Sequence, residues 1–402
     1  MLIASAKSLG WRKLGSDNKY ERTRGWMKKV GDKKRILHFI GGGEIGGAEE
    51  LLLSLMKLLD KEKYEAWLIC LCEGPFAQLV ARQGFKVAVV PMRHKFDLGT
   101  IKPIREYLIK HNIDLVHTHG VRANLVARTA AKQAGLPVVT TFHSVLRYDY
   151  DSIYKALIAK YLTKATNKYT DRYIAISGAI KEEIKALGVP EELITVIHNG
   201  LDTSRYLLTL NPEVIKSQLG LDPELPTVSM IARLHPVKGH QYFLQAARKI
   251  LDRGIKAQFL IIGEGNYRSQ IEKWIKELSL QDKVFIPGYY TPIENIYRVS
   301  DLLAVPSLME GLGLVVLEAM YFKVPVVASN IGGIQEIIRH GENGLLVEPK
   351  DVPALADAIS TLIQDRELAL RLTKAGQETL QYFSPQRMAR QVEEIYHSLL
   401  GG

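Results

Sequence analysis

Two glutamates, Glu310 and Glu318, flank the run Gly311-Leu312-Gly313-Leu314-Val315-Val316-Leu317. The apolar stretch Leu302-Leu303-Ala304-Val305, closed by Pro306-Ser307, reads as a buried strand, and the apolar residues after Gly313 read as a helix. Glu310 therefore falls in a glycine-rich strand-to-helix loop and Glu318 a little over one turn inside the helix, where open α/β sheets hold ligands. Upstream, Arg233-Leu234-His235-Pro236-Val237-Lys238 also joins a strand to a helix. A planar guanidinium and a point-charge ammonium together suit a diphosphate. Ile262-Gly263-Glu264-Gly265 ends the next strand, where glycine permits a tight turn or close backbone approach to a ligand. The amides of Gly311 and Gly313 can approach phosphate oxygens. A carboxylate beside a diphosphate serves better as an acceptor for neutral hydroxyls, so together these residues describe a pocket for a sugar nucleotide. Plainer readings exist for each alone: solvated loop cations, glycines that only turn the chain, and Glu318 as an internal salt-bridge partner.

The positioning elements follow a repeated pattern. Strand-like runs at Arg35–Ile40, Ala66–Cys72, Lys86–Val90, Leu115–His119, Val138–Phe142 and Arg172–Ile176 alternate with helical stretches, the first from Ala48 to about Leu59. The pattern restarts at Thr227–Ile231 and continues through Phe259–Ile262, Val284–Ile286, Leu302–Val305, Val324–Ala328 and Leu345–Val347. Such alternation means parallel sheets with crossover helices. With 402 residues, 47% hydrophobic and 24% charged, two soluble α/β domains are expected. Asn199-Gly200-Leu201-Asp202 and the polar stretch after it place their boundary near 205. Two doubly wound domains facing a cleft would make that cleft the ligand site.

At this point the chain resembles a known family. Glu310 to Glu318 matches the glutamate–seven–glutamate signature of the family-4 retaining glycosyltransferases of GT-B fold. The resemblance covers residues 35–400 and takes in the loop at 41–47, His117-Thr118-His119-Gly120, Asn199-Gly200-Leu201-Asp202, Arg233 with Lys238, Gly263-Glu264-Gly265, Pro306 to Gly311, and Gly332-Gly333-Ile334-Gln335-Glu336. It implies two Rossmann-like domains facing a central cleft: an acceptor-side domain at 35–205, a nucleotide-sugar-binding domain at 206–383, and a last helix in 384–402 crossing back to the first. It further implies that Arg233 and Lys238 bind the donor diphosphate, that Glu310 contacts sugar hydroxyls, and that Glu318 contacts the ribose. Gly263, Glu264, Gly311, Gly313 and Leu314 complete the donor site. Gly46 and Gly47 cover the reacting end, and His119 lies near the sugar, its carbonyl or ring stabilising the oxocarbenium ion. His198 departs from the proline that many relatives carry before Asn-Gly. The implied reaction moves a hexosyl group, with retention and without a metal ion, from a uridine or, second, a guanosine diphosphate sugar. The acceptor would be a glycan or glycolipid in cell-surface polysaccharide or glycolipid assembly.

Other signals were weighed beside this one. Gly41, Gly43 and Gly46 satisfy the Gly-x-Gly-x-x-Gly dinucleotide fingerprint, with Glu73 at the end of the next strand. A nicotinamide-dependent oxidoreductase is thus an alternative, and a non-catalytic sugar-nucleotide-binding subunit is another. Asp149-Tyr150-Asp151 looks like a metal-binding pair but is expected to be exposed polar residues. Cys70 and Cys72, inside an apolar run, read as core filling. Residues 1–200 carry 32 Lys/Arg against 20 Asp/Glu, and the rest 21 against 23. Much of the excess lies in residues 1–34, read as a basic disordered tail, with Met27 a candidate start. A basic first half suits an anionic membrane surface, and no aromatic-interleaved patch suggests nucleic acid. No apolar run reaches about 18 residues and no signal-peptide core is evident, so cytoplasmic residence is expected, with peripheral contact at the inner face of the membrane. Within 152–168, Ile153, Tyr154, Leu157, Ile158, Tyr161, Leu162 and Ala165 keep helical spacing beside Lys160, Lys164 and Lys168. Packing of that stripe on its own sheet is preferred here over contact with lipid.

Overall fold

The computed structural model describes residues 12–14, 33–93, 97–145, 147, 153–206 and 210–401. Asp149-Tyr150-Asp151 and Met27 lie outside them. The chain divides into two compact units, Met1–Gly200 with Pro385–Gly402, and Leu201–Ser384. The division thus falls at 200/201 rather than near 205.

In the first unit the strands are β1 (Arg12–Leu14), β2 (Lys34–Ile40), β3 (Tyr64–Cys70), β4 (Lys86–Val89), β5 (Leu115–His119), β6 (Val138–Phe142), β7 (Arg172–Ala175) and β8 (Ile194–Val196). Between them run α1 (Gly47–Leu58), α2 (Pro75–Arg82), α3 (Ile101–Lys110), α4 (Val121–Gln133), α5 (Ile153–Asn167) and α6 (Gly178–Ala186). The sheet order is β1-β4-β3-β2-β5-β6-β7-β8. All neighbours are parallel except β1, which runs antiparallel to β4 with Arg12 opposite Val89. Within the stretch read as a basic tail, Arg12–Leu14 forms this edge strand, and residues 1–11 and 15–32 lie outside the described residues. Two-residue alternation divides β2 between the faces of the sheet. Leu37 and Phe39 pack with Val126 of α4 and Leu108 of α3, whereas Ile36 packs with Leu51 and Leu55 of α1. Both faces being covered, the strands are nearly continuous apolar runs.

The second unit holds α7 (Pro212–Leu219), β9 (Thr227–Ile231), α8 (His240–Asp252), β10 (Gln258–Ile262), α9 (Arg268–Glu277), β11 (Val284–Gly288), α10 (Glu294–Val299), β12 (Leu302–Val305), α11 (Leu314–Tyr321), β13 (Val326–Ser329), α12 (Ile334–Ile337), β14 (Leu345–Val347), α13 (Val352–Gln364) and α14 (Arg366–Thr379). Its parallel sheet has the order β11-β10-β9-β12-β13-β14. β9 and β12 are therefore neighbours although two further strands lie between them in sequence. That crossing of order brings the loop after β9, with Arg233 and Lys238, beside the loop after β12, with Glu310.

The last helix, α15 (Pro385–Leu400), belongs to the first unit. Met388, Val392 and Tyr396 enter the core with Ile36, Leu115 and α1. The Tyr396 hydroxyl lies 2.6 Å from His117 Nδ1, and both residues are fully buried. A phenol that buries its ring and still satisfies its hydroxyl is worth both area and polarity. Tyr396→Phe keeps the ring and leaves a buried imidazole nitrogen unpaired. We expect it to lower stability by about 1–3 kcal/mol, read as a shift of the urea midpoint at unchanged slope. An unchanged midpoint would show that this bond contributes nothing.

Candidate active site

In the second unit, Lys238 Nζ donates to Glu310 Oε1 at 2.7 Å, and Ser307 Oγ donates to the same oxygen at 2.8 Å. The two ionic side chains are only 17% and 11% exposed. Lys238 ends a single 3-10 turn, and Gly239 after it has φ +80°. A Cβ on Gly239 would sit 1.9 Å from the carbonyl oxygen of Pro306, so the close approach of these loops requires glycine. Lys238 spends one of its three N–H donors on Glu310, and the other Glu310 oxygen keeps its lone pairs. Arg233 stands exposed just past the end of β9. Gly313, at φ +92°, caps the N-terminus of α11, whose first amide is that of Leu314. Arg233, Lys238, Glu310, Gly311, Gly313 and Leu314 are thus gathered at the carboxyl ends of β9 and β12.

Glu318, expected to contact ribose hydroxyls, has protein partners of its own here. It is 9% exposed, and Arg205 and the Tyr206 hydroxyl both donate to its Oε1, while the Tyr297 hydroxyl donates to Oε2 at 2.7 Å. Burial, then the Glu318 carboxylate, pushes both phenols up, so both stay protonated donors. Nothing in the sequence around Arg205 and Tyr206 announced this pairing, because it joins residues more than a hundred positions apart. The Gly263-Glu264-Gly265 loop packs closely on its neighbour. A Cβ on Gly263 would meet the carbonyl oxygen of Ala232 at 2.0 Å, and the Leu234 amide donates to the Glu264 carbonyl at 2.8 Å. These glycines let the loop pack on the backbone that carries Arg233, and the Glu264 side chain is exposed.

The first unit has its own concavity, lined by Gly41, Glu49, His119, Gly120, Asn124 and His143 among others. It lies at the carboxyl ends of β2, β5 and β6 and the N-termini of α1 and α4. Gly46 is the N-cap of α1 and Gly47 its first residue. Glu49, in that first turn, is a residue the sequence reading passed over. Burial raises its carboxyl above the usual range, while its own amide and that of Gly46 bind it and partly offset this. The carboxylate thereby fills the helix terminus where a dinucleotide pyrophosphate would rest, which argues against the oxidoreductase alternative.

Beneath the concavity four histidines meet. His38 Nδ1 lies 3.3 Å from His119 Nε2, and His119 Nδ1 lies 3.0 Å from His143 Nε2. His117 adds bonds to Thr141 and Tyr396. Both nitrogens of the His119 ring are therefore engaged, and the ring is 3% exposed. That leaves its carbonyl, not its imidazole, for any contact with a sugar. Among the described residues, His38, His117 and His119 are the group of ligating type close enough to hold a metal, with ligand atoms within 4.8 Å of one another. All of their nitrogens except His38 Nε2 are already committed to hydrogen bonds. Burial pushes His38 down to about 3 and His143 to about 4, and burial with neighbouring imidazoles lowers His117 and His119 far below the usual value.

Residues 212–379 match the model for glycosyl transferases group 1, and residues 45–205 match that for glycosyltransferase family 4. The chain belongs to the family-4 glycosyltransferases. Over 382 residues, 92% of its length and 98% of the relative's, this glycosyltransferase is 27% identical to the UDP-Gal:alpha-D-GlcNAc-diphosphoundecaprenol alpha-1,3-galactosyltransferase of Escherichia coli. It is 31% identical over 238 residues, 57% of its length and 66% of the relative's, to the lipopolysaccharide core biosynthesis mannosyltransferase LpsB of Rhizobium meliloti. The crystal structure of Anabaena HepE in complex with UDP and glucose matches with a TM-score of 0.79 at 27% identity, covering 91% of this chain and 100% of that one. The two parallel sheets and their helices are the GT-B architecture. These relatives support transferase chemistry and leave the oxidoreductase alternative without support.

Two outcomes test the geometry. Breaking the Lys238–Glu310 pair strands a largely buried charge, so Lys238→Met and Glu310→Gln should each cost on the order of 3 kcal/mol of stability. The double variant should cost clearly less than their sum; additive losses in urea unfolding would show the pair uncoupled. The histidines give a pH signature. Their folded pKa values lie below the unfolded value near 6.5, so between those values the unfolded chain binds more protons. Stability should be full above pH 6.5 and fall as pH drops toward 4, by up to about 1.4 kcal/mol per unit for each imidazole. His143→Gln should flatten that slope, and an unaltered slope would mean His143 is not held neutral.

Proposed function

We propose that this glycosyltransferase moves a hexosyl group from a uridine diphosphate sugar to a glycan or lipid-linked acceptor with retention of anomeric configuration. The observation that carries the reading is the Lys238–Glu310 pair beside the α11 N-terminus. One ammonium donor holds Glu310, and the remaining donors, with Arg233 and the amides of Gly313 and Leu314, serve the diphosphate. Glu310, paired with Lys238, accepts from sugar hydroxyls and favours positive charge at the anomeric carbon; it is not the nucleophile. Glu318 takes the ribose hydroxyls in exchange for Arg205 and Tyr206. Gly46, Gly47 and the His119 carbonyl are the groups of the first unit assigned to the sugar. Two cations carry the diphosphate charge in this scheme, which requires no metal ion.

In a front-face displacement the bond from the anomeric carbon to the leaving phosphate oxygen breaks. The acceptor oxygen bonds to that carbon on the same face, and the departing diphosphate takes the acceptor's proton. Lys238 and Arg233 stabilise the charge that develops there. HepE binds UDP and UDP-glucose, which supports uridine over guanosine. The diphosphoundecaprenol acceptor in the name of the E. coli relative supports a lipid-linked acceptor, and the reading places the reaction in cell-surface assembly at the inner face of a membrane. Among the described residues no helix is long and apolar enough to cross one.

A thermal-shift panel should show UDP and a UDP-sugar stabilising the protein, by about 2.7 kcal/mol at 100 times the dissociation constant, with GDP weaker. Lys238→Ala should lower kcat at saturating donor by a factor on the order of 100, from a loss of about 3 kcal/mol. Wild-type turnover in that variant would remove Lys238 from the mechanism, and a product of inverted configuration would end the front-face scheme.

A further inference from the structure

Helix α5 faces the wrong way for a helix that only packs on its own sheet. Its inward residues are Ala159, Leu162, Thr163 and Thr166, and its outward ones include Tyr154 at 80% exposure, Tyr161 at 71%, Ile158 at 47% and Leu157 at 45%. The preferred expectation, that the apolar stripe packs inward, is corrected for these four residues, though Leu162 does join the core. The cause is Arg128 of α4, which is fully buried. Its Nη1 donates to Thr166 Oγ1 at 3.2 Å and to Asn167 Oδ1 at 3.0 Å, and its Nε donates to Thr140 Oγ1 at 3.1 Å. A buried guanidinium needs hydrogen-bond partners, and although its Nη2 has none among the described residues, those of its Nη1 turn Thr166 and Asn167 of α5 inward and leave the apolar face outside.

At about 100° per residue, Tyr154, Leu157, Ile158 and Tyr161 form one outer stripe, and Lys160, Lys164 and Lys168, all exposed, run along its flank. Residues 153–170 contain no Asp or Glu. Aliphatic and tyrosine side chains bordered by lysines, with no acid, are the composition of helices that lie in the headgroup region of anionic bilayers. Fifteen residues reach only about 22 Å, too short to cross a bilayer. A second copy of this chain would bring a second row of lysines against the first, and like charges oppose that pairing.

We propose that the outer face of α5 docks on an anionic lipid bilayer, with Tyr154, Leu157, Ile158 and Tyr161 entering the interface and Lys160, Lys164 and Lys168 meeting the lipid phosphates. The proposal adds a place of contact to the membrane-side function argued above. It rests on that reading only for its setting, since vesicle binding is measured without donor or acceptor and the two can fail separately.

The test is co-sedimentation of the full chain with vesicles of phosphatidylglycerol and phosphatidylcholine, and with phosphatidylcholine alone. Wild type should partition onto the anionic vesicles and hardly onto the neutral ones. K160E/K164E/K168E should lower the partition coefficient about a hundredfold, and L157S/Y161S more than tenfold. Donor hydrolysis by both variants should match wild type, showing that they are folded. Equal binding to neutral vesicles would overturn the proposal, as would full retention by both variants, which would assign binding to residues 1–34. Self-association without lipid that L157S/Y161S abolishes would give the face to a second copy and likewise overturn it.

Discussion

Polar groups gathered to hold a ligand must find partners when the ligand is away, because an unpaired charge or donor in a buried place is costly. That constraint organises the carboxyl ends of both sheets. Lys238 rests on Glu310, and Glu318 is held by Arg205, Tyr206 and Tyr297. His119 is held between His38 and His143. None of these pairings is a strong argument for stability in itself, since well-packed apolar residues often serve as well. Under the proposed function, the value of the Lys238 and Glu318 pairings is that binding becomes an exchange of partners within a preformed site, without new burial of bare charge, whereas the His119 ring only holds its backbone in place.

Much of the architecture was legible in the chain. Parallel strands buried on both faces are mostly β-branched and aliphatic runs, so β6, β9 and β12 have the bounds their sequences suggest, as do the histidine-bearing β5 and the partly buried edge strand β14. β8 was missed because it is a three-residue edge strand with an exposed middle, and β1 because its few residues sit in a charged stretch with no periodicity. The site was half legible. Arg233, Lys238 and Glu310 follow strands in a recognisable way, and the structure brings Lys238 and Glu310 together. The partners of Glu318 and the histidine chain arise from strands and loops remote in sequence, which no local pattern announces. Helix α5 shows the limit most clearly. Its period was correct and its orientation was not, because the direction of the stripe depends on Arg128, a residue on another helix.

The first unit is discontinuous: its core is completed by α15, which is made after the whole of the second unit. At about 5–20 residues per second, a ribosome that has finished β8 needs a further ~10 to 40 seconds to make Leu201–Ser384 before that helix emerges. Through that interval Ile36, Leu115 and α1 lack the apolar cover that Met388 and Val392 supply. The second unit is one uninterrupted stretch with no such wait. The half that carries Arg233, Lys238 and Glu310 can thus close on its own contiguous residues, whereas the half that carries His119 is sealed only once Pro385–Leu400 has been made.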